Sequence, residues 1–191
     1  MTTRIEPAHP AVAETRAWVE HAVIGLNLCP FAKAPLVKGR VRLALSDATD
    51  ADTLLTDLVA ELRLLAAAPA DGLETTLLIH PGVMGDFAEY NDFLDVADAA
   101  VAELGLEGEI QVASFHPRYQ FADSEPEDLA NATNRAPHPT LHLLREDSIS
   151  RAVAVFPEAE AIYEANIETM ERLGAAGWAA LQQRCRDDAD V

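Results

Sequence analysis

Residues 75–117, TTLLIHPGVMGDFAEYNDFLDVADAAVAELGLEGEIQVASFHP, place two short apolar segments on either side of one long amphipathic segment. Thr75 to His80 and Glu109 to Phe115 have the apolar character of buried strands. Between them, Asp86 to Leu104 repeats apolar residues at helical spacing, and Gly105 provides a stop signal. A strand, a long helix and a second strand predict a βαβ unit, in which both strands run in the same direction.

The flanking segments extend this alternation of strands and helices. Val41 to Ser46 and Thr140 to Arg145 predict two more strands, and a leucine-rich helix follows Asp50 or Asp52 and ends before Pro69. Further helices are predicted over Pro10 to Ile24, Ser148 to Phe156, Pro157 to Gly174 and Ala175 to Arg186, with one helical turn over Pro126 to Ala130. We therefore expect an α/β fold: a βαβαβ core with a largely parallel sheet, an added strand and C-terminal helices. A ferredoxin-like α+β arrangement is the alternative.

The composition favours one domain over residues 1–191, with 157–191 as a helical C-terminal appendage. The net charge of −18 disfavours nucleic acid and anionic membrane surfaces as partners. No apolar run approaches the roughly 18 residues that a membrane span requires. Two cysteines are too few for a disulfide framework, so a cytoplasmic location is expected. The sequence does not indicate the oligomeric state.

The acidic residues are unevenly distributed along the chain. Residues 21–46, 110–122 and 129–145 contain no Asp or Glu, although each window keeps basic residues. Buried strands exclude carboxylates, which explains part of each window but not the basic residues in it. A cationic pocket in an acidic protein would attract a small anionic molecule, which is the partner that this pattern favours.

Two strands are followed by the same dipeptide, His80-Pro81 and His116-Pro117. If the strands are parallel, both imidazoles lie at the carboxyl edge of the sheet, where open α/β sheets place ligands. His80 and His116 would then hold a divalent transition metal such as zinc, iron, copper or nickel. Candidates for a third ligand are Asp86, Glu89, Cys29, His138 and His142. The alternatives are that each histidine hydrogen-bonds a turn and that Asp86 and Glu89 form a capping box.

Cys29 follows the first predicted helix, and four basic residues lie within the next thirteen positions. Nearby cations lower the pKa of a thiol, so Cys29 is a candidate nucleophile. The alternative is a structural role, because free cysteine is among the most buried residue types.

The segments FHPRYQF (115–121) and NRAPHP (134–139) collect polar groups that a buried strand would not need. Arg118 and Arg135 would orient a carboxylate or phosphate, because a guanidinium binds such groups with two hydrogen bonds. Gln120 and Asn134 would bind the same ligand, and Tyr119 would stand beside His116 as a catalytic group. Salt bridges from the arginines to surface acids are the alternative.

Residues 18–32 (WVEHAVIGLNLCPFA), 115–121 (FHPRYQF) and 133–145 (TNRAPHPTLHLLR) resemble the bacterial family catalogued as domain of unknown function 1415. The resemblance covers about residues 11 to 175. It implies a stand-alone cytoplasmic bacterial protein, and it brings no activity, substrate or catalytic residue with it.

The residues therefore support three hypotheses. The first is an enzyme that acts on a small anionic metabolite, with His116, Cys29 and Tyr119 as catalytic groups and a metal on the histidines. The second is a non-catalytic module that binds an anion or a metal. The third is an interaction protein that uses its C-terminal helices as a partner surface.

Overall fold

The computed structural model describes residues 9–155 and 159–189. Its four-stranded sheet contains β1 (Val41–Leu45), β2 (Thr75–Ile79), β3 (Ile110–Phe115) and β4 (Thr140–Arg145), in the order β1-β2-β4-β3. β1 pairs with β2 in parallel, and β4 is antiparallel to both of its neighbours. The mixed α/β class is thus confirmed.

The position of β4 differs from the expected addition to a βαβαβ core. Three strands point in one direction, but β4 lies between β2 and β3, so β1 and β2 form the only parallel pair among the described residues. The chain leaves β3, passes through the loop that follows it and returns antiparallel along β3. Local sequence patterns predict strands well, but which strands pair depends on contacts between distant segments.

The helices are α1 (Pro10–Trp18), continued by a π-helical segment (Val19–Ile24), then α2 (Lys33–Val37), α3 (Ala51–Ala67), α4 (Phe87–Glu103), a 3₁₀ helix (Leu129–Asn134), α5 (Glu146–Val155) and α6 (Ala159–Ala189). Aspartate side chains cap the two 17-residue helices of the fold, α3 and α4. Asp50 caps α3 by accepting a 2.8 Å hydrogen bond from the Thr53 amide. Asp86 caps α4 by accepting from the Ala88 and Glu89 amides.

Several helix boundaries differ from the sequence expectation. α2 was not predicted, and the turn expected over Pro126 to Ala130 occurs as the 3₁₀ helix, a few residues later. Gly174 interrupts α6 with φ 69° and ψ 170°, which confirms the helix end predicted there. The predicted end at Phe156 and the predicted start at Pro157 lie outside the described residues.

Two apolar clusters lie on opposite faces of the sheet. On one face, α3 and α4 supply Leu54, Leu58 and Phe93, and β2 supplies Leu78. On the other face, α1 and α6 pack together on Leu77, the residue next to Leu78. Since neighbouring residues of a strand point to opposite faces, the sheet separates two helical layers. Within the described residues, no helix is long and apolar enough to cross a membrane.

Candidate functional site

The two His-Pro dipeptides lie at the same edge of the sheet, on either side of the start of β4. Thr140, the first residue of β4, is paired with Ile79 of β2 on one side and with Phe115 of β3 on the other. His80 and His116 directly follow Ile79 and Phe115, so both leave the sheet at the same edge. The His80 amide donates to Pro139 O at 3.0 Å, and the His116 amide donates to Asn134 O at 3.2 Å. The shared carboxyl edge predicted for the histidines is confirmed, with β4 between them.

His116 uses both of its ring nitrogens in hydrogen bonds to the backbone. Its Nδ1 accepts from the Arg118 amide at 3.0 Å, and because an amide can only donate, the ring proton resides on Nε2. Nε2–H donates to Met84 O at 3.1 Å. Burial lowers the pKa of His116, which keeps the ring neutral. A neutral ring in this tautomer has no free lone pair for a metal.

His80 keeps one nitrogen without a partner. Its Nδ1 lies 3.2 Å from Val83 O, whereas the buried Nε2 has no hydrogen-bond partner in the described part of the chain. The ring is fully buried and stacks on Tyr90 with 5.8 Å between centroids, and burial lowers the pKa of His80 to about 4.

Two of the other candidates for a metal ligand, His138 and His142, have separate partners. His138 Nε2 lies 2.9 Å from Glu14 Oε2, and His142 Nε2 lies 2.7 Å from Thr75 Oγ1. Among residues 9–155 and 159–189, no group of three or more His, Cys, Asp or Glu side chains is placed to hold a metal ion. The metal site on His80 and His116 stays a prediction. The arrangement of the other candidate ligands adds no support to it.

An open cleft of about 360 Å³ lies beside His116, at the carboxyl edge of the sheet. We call it the arginine cleft; its lining residues are Asp86, Phe87, Pro117, Arg118, Gln120, Pro126 and Arg135. Three of the four predicted ligand-binding residues, Arg118, Gln120 and Arg135, therefore come together here. The acid-free windows 110–122 and 129–145 meet in this cleft, because the first supplies Arg118 and the second supplies Arg135.

The two arginines are held in different ways. Arg135 Nε donates to Tyr119 O at 3.0 Å and its Nη2 donates to Pro126 O at 2.7 Å, so the loop backbone fixes this guanidinium. Arg118 is 63% exposed; its Nη2 donates to Gly85 O and lies 3.5 Å from Asp86 Oδ2. One guanidinium held by the loop backbone and one that is mostly exposed thus face the same opening.

A buried asparagine organises the loop that carries these residues. Asn131 Oδ1 accepts from the Phe121 amide at 2.9 Å and from Ser124 Oγ at 2.7 Å, while its Nδ2 donates to Glu125 O at 2.8 Å. Sequence reasoning missed Asn131, because one polar residue in a long polar loop gives no sign that it is buried. Its full burial shows that the loop folds around this side chain.

Asn134 and Tyr119 lie next to the arginine cleft but do not line it. Asn134 Nδ2 donates to Ser114 O at 3.4 Å, which ties the loop to β3. The Tyr119 ring lies 5.3 Å from Phe87 and 5.1 Å from Phe121, centroid to centroid. Tyr119 therefore supports the wall that Phe87 presents to the cleft.

Cys29 lies beside α6, where Asn166 Nδ2 donates to Leu28 O at 2.9 Å. Burial raises the pKa of the Cys29 thiol, which is the opposite of the direction expected from the neighbouring basic residues. Those basic residues include Arg42, which is paired with Glu61 at 2.8 Å. The nucleophile role of Cys29 stays a prediction, and the described lining of the arginine cleft does not include it.

These features define an α/β protein with a cationic cleft at the carboxyl edge of a mixed sheet. The chain belongs to the family described as Protein of unknown function (DUF1415), which matches residues 10–180. The comparison with curated proteins and the comparison with solved structures each returned no match.

Proposed function

We propose that the arginine cleft binds a small anionic molecule carrying a carboxylate or phosphate group. The observation that carries the proposal is the convergence of Arg118 and Arg135 on one opening, in a protein whose net charge is −18. A surface with so many carboxylates offers arginines many partners, yet Arg135 is bonded to backbone carbonyls, and Arg118 is bonded to one carbonyl and paired with Asp86 at 3.5 Å.

The electrostatic balance of the cleft favours an anion. The lining holds two guanidinium groups and one carboxylate, that of Asp86, whose Oδ1 already accepts the first amides of α4; the Glu127 carboxylate also acts on Arg135 but does not line the cleft. Backbone carbonyls neutralise no charge, so Arg135 keeps its positive charge while being held in place. A fixed guanidinium loses little rotational freedom when it binds a ligand, which strengthens binding.

The geometry supports binding more directly than it supports catalysis. His116 would have to release Met84 O or the Arg118 amide before it could exchange a proton with a ligand. Gln120 donates through Nε2 to Ser124 O at 2.6 Å, which leaves its amide oxygen to orient a ligand hydroxyl. A non-catalytic anion-binding module is therefore the function we favour, and an enzyme would add chemistry at His116 or Tyr119 to the same binding site.

Isothermal titration calorimetry with inorganic phosphate and with malonate tests this proposal. Arg118→Gln is expected to weaken binding of the better probe about tenfold, since a hydrogen-bonded ion pair contributes about 1.5–3 kcal/mol. Arg63→Gln is the matched control, because Arg63 is exposed on α3 and the same charge is lost. Equal affinities of the two variants, or no saturable binding of either probe, would contradict the proposal.

A further inference from the structure

The arginine cleft is lined by hydrogen-bond acceptors as well as donors. The Asp86 side chain is 56% exposed; its Oδ1 caps α4, whereas its Oδ2 makes one contact among the described residues, with Arg118 Nη2 at 3.5 Å. Gln120 donates through Nε2 to Ser124 O, and its Oε1 has no hydrogen-bond partner in the described part of the chain. Asp86 and Gln120, which both line the cleft, thus carry oxygen atoms that can accept further hydrogen bonds.

A ligand that is negative throughout would not satisfy these acceptors. A carboxylate only accepts hydrogen bonds, so a plain dicarboxylate can pair with the two arginines but has nothing to donate to Asp86. The negative charge of Asp86 also repels such a ligand. The capping of α4 does not require that charge, because asparagine caps a helix about as well as aspartate does.

The charges of the lining form a pattern that a zwitterion matches. Two guanidinium groups and one carboxylate line the cleft. A molecule with two acidic groups and one ammonium group would give each of these three side chains a partner of opposite charge. An ammonium group has three donors and no acceptor, which suits the oxygen atoms of Asp86 and Gln120.

We propose that the arginine cleft binds a zwitterion with two acidic groups and one ammonium group, the charge pattern of an acidic α-amino acid. Arg118 and Arg135 pair with the acidic groups, and Asp86 pairs with the ammonium group, which makes Asp86 the residue that determines specificity. The cleft, with a volume of about 360 Å³, has room for such a molecule. This inference rests on the proposed function, because it names the class of the anion that the cleft binds.

Three probes with the same carbon skeleton test the role of the ammonium group. Succinate carries two carboxylates, L-malate adds a hydroxyl group to them, and L-aspartate adds an ammonium group instead. We would titrate each probe into the intact chain by isothermal titration calorimetry, at neutral pH and constant ionic strength. L-aspartate is expected to bind about threefold more tightly than succinate, which is within the range of a partly exposed ion pair. Equal affinities of L-aspartate and succinate, or of L-aspartate and L-malate, would overturn the inference.

Asp86→Asn removes the charge and keeps a side chain that caps α4. We expect the Kd of L-aspartate to rise about threefold, because the ammonium group loses its partner, and the Kd of succinate to fall, because a repulsion is lost. Asp98→Asn is the matched control, because Asp98 is exposed on the same helix about 18 Å further along its axis, and both Kd values should stay unchanged. If Asp86→Asn moves both Kd values in the same direction, the inference is wrong.

The outcomes separate this inference from the proposed function. Saturable succinate binding that Arg118→Gln weakens, without a preference for L-aspartate, would overturn the inference and leave the proposed anion site standing. Absence of binding by all three probes would overturn both. If circular dichroism shows that Asp86→Asn does not fold, the order of the three affinities in the wild type decides the question.

Discussion

At the scale of single residues, Tyr90 joins α4 to two strands at the edge where the arginine cleft lies. Its hydroxyl donates to Thr140 O at 2.8 Å and accepts from the Phe115 amide at 3.1 Å, and the side chain is fully buried. Burial also raises the pKa of Tyr90, so the hydroxyl stays protonated and able to donate. The hydroxyl thus pairs two backbone groups beside His116.

We expect Tyr90→Phe to lower the free energy of unfolding by about 1–3 kcal/mol, because it leaves two buried backbone groups unpaired. Chemical denaturation followed by circular dichroism measures this. Tyr163→Phe is the control, because Tyr163 is 56% exposed and its change should stay within about 0.5 kcal/mol. An equally small effect at Tyr90 would show that these hydrogen bonds do not stabilise the edge.

His80 makes the stability of the protein depend on pH below neutrality. Burial lowers the pKa of His80 to about 4 from its ordinary value of 6.5. Between these two values the unfolded chain binds a proton that the folded chain does not, so stability falls as the pH falls from 6.5 towards 4. The contribution of His80 is complete above pH 6.5, and its slope approaches about 1.4 kcal/mol per pH unit.

We expect His80→Asn to flatten the dependence of unfolding free energy on pH between 6 and 5. Burial also lowers the pKa of His142 to about 4, so part of the slope should persist in the variant. Urea denaturation at several pH values measures both proteins. An unchanged slope would mean that the His80 ring becomes protonated without unfolding.

Part of the lining of the arginine cleft was predicted at this scale. Arg118, Gln120 and Arg135 were identified from their residue types and from the acid-free windows that contain them. Asp86 was considered as a metal ligand or a helix cap and Phe87 only as part of a helix, although both line the arginine cleft. Their place in the cleft depends on how the loop between β3 and β4 folds back over α4, and that information lies in long-range contacts.

At the scale of elements, Gly174 divides α6 into two helices. Its φ of 69° with ψ of 170° is a region that side chains rarely adopt, and an added Cβ would meet no atom within 4 Å. The cost of a side chain here therefore comes from the backbone alone. The break lies between Met170 and Trp178, which are both buried in the cluster on that face of the sheet.

We expect Gly174→Ala to destabilise the protein by about 1–3 kcal/mol through backbone strain. Gly85→Ala is a matched control, since its added Cβ also meets no atom within 4 Å and its φ is not in the left-handed region. Thermal unfolding of the two variants provides the comparison. Equal melting temperatures would show that α6 can continue through position 174 without cost.

The elements themselves were largely predictable. β1, β2 and β4 end within one residue of their predicted positions, because apolar runs and turn residues are local signals. The insertion of β4 between β2 and β3 was not predicted, because antiparallel and parallel neighbours have similar local sequences. α2 was missed because Pro35 lies inside a helix of only five residues, Lys33–Val37.

At the scale of the whole molecule, an acidic chain exposes, within its described part, a cleft whose lining holds two guanidinium groups and one carboxylate. Salt screens the repulsion between a dissolved anion and the acidic surface as well as its attraction to the cleft. Specific binding therefore has to come from hydrogen bonds at close range. The loop backbone holds the Arg135 guanidinium in a position to make them.

The most direct measurement is a two-dimensional proton–nitrogen NMR spectrum of the arginine Nε–H groups during titration with inorganic phosphate. The account predicts that the resonances of Arg118 and Arg135 shift together and saturate at one affinity, while those of Arg63 and Arg151 stay in place. If the exposed arginines outside the cleft shift equally, or if Arg118 and Arg135 do not respond, the arginine cleft is not an anion site.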